Sequence, residues 1–245
     1  MILEMFARDK YPGWASLASV CKEWQAVLEK PNFQKLKLRV SCLDDFKHMM
    51  VPQQKRDLVR HIWFEIRLPG YMSECCSNRV STYVNHGTMV TKALGRLFSI
   101  LSTWKPEHKL TLELNLACPS DSNHWFPNLY FSSDQVGDDE DTITPPLHDP
   151  RHGWVMGLPV EPPPGGAIQR LLQDISFNFN LDLPRVEAVA CLIIRRQLRR
   201  SLCAYSIGCL LKSFGRLENI VYEPWTLYEN HFKLFIDKGI YPFFP

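Results

Sequence analysis

No Cys-x-x-Cys pair occurs in these 245 residues, although there are eight cysteines. Structural zinc sites are built from such pairs, repeated, so the usual zinc scaffolds are excluded. There is no phosphate loop, dinucleotide fingerprint or nucleophile elbow, which removes the common signatures of nucleotide and hydrolase chemistry. Long apolar runs are missing too. The stretch from Val186 to Ile194 is broken by Glu187 and ends in arginines, so no membrane span is expected. Met1 to Ala7 is too short for an export signal, and Arg8-Asp9-Lys10 follows at once. The thiols are therefore expected to be reduced, in cytosol or nucleus. Charge of one sign is also scarce. A net charge of +2 argues against a dedicated nucleic-acid binder.

What is present is an ordinary soluble composition, 45% hydrophobic and 22% charged, with enough chain to bury a sizeable core. Lys35-Leu36-Lys37-Leu38-Arg39-Val40 alternates strictly, as a half-exposed strand does. Ser41-Cys42-Leu43-Asp44 reads as a capping box opening a helix with Leu43, Phe46 and Met50. A strand follows with Ile62, Phe64, Ile66 and Leu68 on one face and Trp63 and Arg67 on the other. Residues 70–87 read as a loop. The clearest helix carries Val90, Leu94, Leu97, Phe98, Leu101 and Trp104. Leu110, Leu112, Leu114 and Leu116 then alternate with Thr111, Glu113 and Asn115 in an amphipathic strand.

Residues 119–166 differ in kind. They hold eight acids and one base, Arg151, with Pro-Gly runs such as Pro162-Pro163-Pro164-Gly165-Gly166. That composition predicts a long, partly disordered surface insertion. Beyond it, a helix is expected near Ile168 to Leu172, strands at 175–179, 186–193 and 217–222, and helices at 201–214 and 225–236. Strands of Leu-x-Leu character thus alternate with helices. This is the grammar of α/β repeats, and of leucine-rich repeats in particular, although the strand starts share no period. The expected fold class is α/β: a short N-terminal helical module over 1–38, then an irregular leucine-rich-repeat-like domain over 39–245. A compact α/β sandwich is the alternative.

The first stretch carries the most specific pattern. Leu17, Val20, Cys21, Trp24, Val27 and Leu28 recur at steps of three and four, which gathers them on one helix face, with Pro31 ending the element at Lys30. Val20-Cys21-Lys22-x-Trp24, then Pro31 and Leu36-x-Leu38, resembles the second half of an F-box. Met1-Ile2-Leu3-Glu4-Met5-Phe6 is similar to the end of its first helix, and Tyr11-Pro12-Gly13-Trp14 to its turn. More narrowly, Gly13-Trp14-Ala15-Ser16, Ser41-Cys42-Leu43-Asp44-Asp45 and the run Cys191 to Arg200 resemble F-box proteins of filamentous fungi. The Leu-Pro opening of a complete box is not in the sequence, so the resemblance is to an N-terminally truncated F-box. It implies a substrate receptor of a Skp–cullin–F-box ubiquitin ligase, without catalysis or cofactor. Ile2, Leu3, Phe6, Leu17, Val20, Cys21, Trp24 and Leu28 would meet a Skp-type adaptor and, through it, a cullin. An unidentified protein would be the substrate. The other reading is an interaction module in which the box only caps the repeat domain.

Other clusters are weaker. Cys75-Cys76 with Cys42 or His86 lacks zinc spacing. His148-Asp149-Pro150-Arg151-His152 lies in the insertion without rigid support for catalysis. Arg195, Arg196, Arg199 and Arg200 fall on neighbouring rows if the run is helical. They are then a solvated face, partners of the acidic insertion, or a site for an acidic partner. Trp63, on the strand face away from the core, is a candidate binding anchor, or packs beneath a loop.

Overall fold

The computed structural model describes residues 20–72, 86–105, 109–124, 148–149, 154–155, 158–159, 170, 174–177, 183–195, 198 and 200–223. Alternating sequences become strands and 3.6-periodic ones helices, in the order α1 (Lys22–Gln34), β1 (Lys35–Arg39), α2 (Leu43–Met49), α3 (Gln53–Arg56), β2 (His61–Arg67), α4 (Gly87–Leu101), β3 (Leu110–Ala117) and α5 (Pro119–His124), followed by β4 (His148–Asp149), β5 (Trp154–Val155), β6 (Leu158–Pro159), β7 (Val189–Ile194), α6 (Ala204–Ser213) and β8 (Asn219–Tyr222). The protein is α/β. Its main sheet has five parallel strands in the order β1-β2-β3-β7-β8. Among the described strands, that order is the order of the chain. A small antiparallel sheet joins β4, β5 and β6.

A parallel neighbour requires a crossover, and here α2 and α3, α4 and α6 lie in three of the crossovers. The apolar strand face, with Leu38, Ile62, Phe64, Ile66, Leu112, Leu114 and Leu192, is buried in one cluster with the helices' Leu43, Phe46, Val90, Leu94, Leu97, Phe98 and Leu210. Phe46 packs on Trp104 with ring centroids 5.8 Å apart, and Phe98 on Phe214 at 5.2 Å. The strand positions between these leucines form the second face. It is not part of that cluster.

Several local expectations are corrected. The first helix does not stop at Lys30. It passes through Pro31 to Gln34 and enters β1 with no intervening residue. Leu28 is wholly buried on one side of the proline, and Phe33 packs against the core on the other. Burial at both positions outweighs the hydrogen bond that the proline removes. The Ser41 capping box does not form either. Val40–Cys42 is a 3-10 turn, the N-cap is Cys42, and it makes no side-chain cap. Asp44 instead accepts from Arg96 Nη2 of α4 at 2.9 Å. The stretch expected as an insertion is folded at its start, where Ser120 and Asp121 are buried. Ile175 and Val186 lie in isolated bridges to Leu202 and Phe214 rather than in strands of the main sheet. The expected final helix and the 73–85 part of the expected loop lie outside the described residues.

Candidate functional site

Strand alternation places Lys35, Lys37 and Arg39 on the second face, and parallel register sets His61, Trp63, Glu65 and Arg67 beside them. Thr111, Glu113 and Asn115 come next on β3, then Cys191 and Ile193 on β7. Arg195 follows directly after β7. Two acids on this face are buried, Glu65 and Glu113. Each is held by bases from its neighbours. Glu65 accepts from Arg39 Nε at 2.9 Å and Arg67 Nε at 3.3 Å. Glu113 accepts from Arg195 Nε at 3.2 Å, and His61 Nε2 lies 3.0 Å from its other oxygen. Trp63 is half-buried beside them, with Lys37 Nζ 4.7 Å from its ring centroid. Asn115 Oδ1 is buried and has no hydrogen-bond partner among the described residues.

A second polar cluster sits past the carboxyl ends of β2 and β3. Arg200 Nη1 and Nη2 donate to the two oxygens of Asp121 at 2.8 and 3.0 Å, with both residues buried. Tyr71 donates its hydroxyl to Asp121 Oδ1 at 3.0 Å and its backbone N–H to Ser120 Oγ at 2.8 Å. Arg170 lies over the Tyr71 ring. Cys118 donates to the Pro69 carbonyl, and its thiol pKa is raised by burial first and by Asp121 second. The His86 pKa is lowered by burial, with Arg200 and Arg170 adding to the effect. This cluster ties the segments after β2 and β3 together.

The sequence-predicted residues divide among these places. Trp63 and Arg195 share the second sheet face, two strands apart. Arg200 is elsewhere, buried against Asp121, so the expected helical face of four arginines is corrected. After β7 the Leu198 N–H bonds back to the Arg195 carbonyl in a turn at 3.1 Å, and acids of β3 and α5 take Arg195 and Arg200 one by one. For Arg200, pairing within the chain describes the geometry. Arg196 and Arg199 lie outside the described residues, as do Ile2, Leu3, Phe6 and Leu17. Val20, ahead of α1, is 62% exposed and its N-cap Cys21 is exposed, while on α1 Trp24 is half-buried and Leu28 is buried. Trp24 and Val27, three apart, lie on one side of α1, and the exposed Val20 precedes the extended Cys21 ahead of the helix.

Sequence reading missed Glu65, Glu113 and Asp121 as the acids that organise both clusters. For Glu65 and Glu113, an acid between large apolar residues on a strand was the available signal; Asp121, on α5, carried none. Cys203, N-cap of α6, has a lowered thiol pKa: partial burial raises it, but the hydroxyl and N–H of Ser206 outweigh that. Among the described residues, hydroxyls and amides of Ser206, Ser176 and Tyr205 flank it. Among the described residues no three of His, Cys, Asp or Glu converge as metal ligands, and no helix is long and apolar enough to cross a membrane. No family model, curated protein or solved structure matches the chain.

Proposed function

We propose that this protein is a non-catalytic protein-binding receptor of the F-box type. In this reading an F-box-like helix, α1, docks a Skp-type adaptor. A leucine-rich-repeat-like sheet presents its second face to a protein substrate, in cytosol or nucleus. The observation that carries the reading is the division of the sheet. Its strands follow in chain order, one face is packed against helices, and the other carries Trp63 among arginines. That division is how repeat proteins expose a binding surface. The exposed Val20 and Val27, at and just ahead of α1, support the adaptor half. The receptor's contribution would be effective concentration and orientation, with a cullin-bound conjugating enzyme supplying the chemistry.

The test is co-purification of the full chain with a Skp-type adaptor. Val20→Asp places a charge at an exposed apolar position just ahead of α1 without touching the core, and capture is expected to be lost. A second reading is favoured by one observation on the same helix: Leu28 is wholly buried and Phe33 packs on the core. There α1 serves only as a cap over β1. If so, a folded wild-type chain captures no adaptor, and Val20→Asp changes nothing.

A further inference from the structure

We propose that β8 is the seat of a segment of the same chain, residues 225–236, which covers its helix side. Parallel register sets Ile220 beside Leu192 and Tyr222 beside Ile194, so all four point to the face that the helices cover. Leu192 and Ile194 are buried in the hydrophobic cluster. Ile220 is 50% exposed and Tyr222 38% exposed. The apolar face therefore continues one strand further than the described helices cover it. β8 also lacks what guards the opposite edge of the sheet. β1 carries Lys35, Lys37 and Arg39, and such charges discourage association at an edge. Asn219-Ile220-Val221-Tyr222 holds no charge, and among the described residues no strand pairs with its outer side.

The chain itself points to this occupant. Glu223 and Pro224 alone separate β8 from Trp225. Two residues suffice to turn from a parallel strand into a helix that returns across it, and proline suits the first turn of such a helix. Residues 225–236, read in the sequence as a helix, place Trp225, Tyr228, Phe232, Phe235 and Ile236 at steps of three and four, on one face. Thr226, Glu229, Asn230 and Lys233 fall on the other. An element apolar inside and polar outside is what closes the exposed end of a repeat sheet. α4 follows β2 and α6 follows β7 in the same way, and both bury apolar residues in the cluster beneath the sheet. Closure of this edge is independent of the receptor reading.

The experiment is hydroxyl-radical footprinting of the full chain, with oxidation of Tyr222 read by mass spectrometry. Tyr222 is expected to react slowly in the wild type and several-fold faster in Phe232→Asp, which breaks the apolar face of the segment. Lys233→Asp, on the polar face, is expected to leave the rate unchanged. A Tyr222 that reacts equally fast in the wild type and in Phe232→Asp overturns the proposal. So does protection that is lost on dilution as the mass by light scattering falls from dimer to monomer, because a second copy is then the occupant. Circular dichroism checks that each variant folds. If Phe232→Asp does not, a photo-crosslinking amino acid in place of Phe232 decides. A link to residues 219–222 within one chain is expected, and the absence of that link, or a link between two chains, overturns the proposal.

Discussion

Arg200 and Asp121 show how much one residue's setting decides. Both are buried, and their charges are matched by two hydrogen bonds and a tyrosine hydroxyl. Asp121→Ala leaves a guanidinium buried without its counter-charge. Such a loss costs about 3–5 kcal/mol, read as a fall in the denaturant midpoint. Asp44→Ala, in an exposed pair with Arg96, is expected to cost less than about 1 kcal/mol. His86 gives a pH dependence whose sign is fixed. Its folded pKa lies below the ordinary 6.5, so the unfolded chain binds more protons as pH falls through that value. Stability therefore declines from about pH 6.5 downwards. His86→Gln is expected to melt with a smaller drop in Tm between pH 7.5 and pH 5.5 than the wild type, a comparison that cancels the other histidines.

At the scale of elements, α1 joins two roles in one helix. Leu28 and Phe33 face the core, while Val27, and Val20 just ahead of the helix, are exposed, and Pro31 lies between its last two turns. Pro31→Ala restores a backbone donor and is expected to stabilise the fold by about 2 kcal/mol, measured by chemical denaturation. A fall in stability would mean that the ring's packing matters more than the missing bond. The strands and long helices were legible because their signal is local. Leu110 to Leu116 alternates by itself, and Val90, Leu94, Leu97 and Leu101 fix their own helix face. Ser41 and the Arg195–Arg200 run misled for the opposite reason. Asp44 is drawn off by Arg96 on another helix, and Arg195 and Arg200 are taken by Glu113 and Asp121, which lie 82 and 79 residues earlier in the chain. No local pattern carries that information. Glu65 and Glu113 belong to the same class: alternation placed them on the outer face, but parallel register supplied the arginines that bury them.

For the whole molecule, the sheet divides labour between its faces. One joins the helices in a single hydrophobic cluster and supplies stability. The other joins buried acids to outward-facing bases and is free to specialise. Together with Val27 on α1 and the exposed Val20 just ahead of it, this offers, in the proposed receptor reading, two separate surfaces for an adaptor and a substrate. The central claim is that α1 is one of them. Isothermal titration of a purified Skp-type adaptor into the full chain tests it most directly, with Val20→Asp as the matched variant. The account predicts one-to-one binding by the wild type and none by the variant, with unchanged melting curves. Equal heats for both proteins, or no binding by a folded wild-type chain, would contradict it.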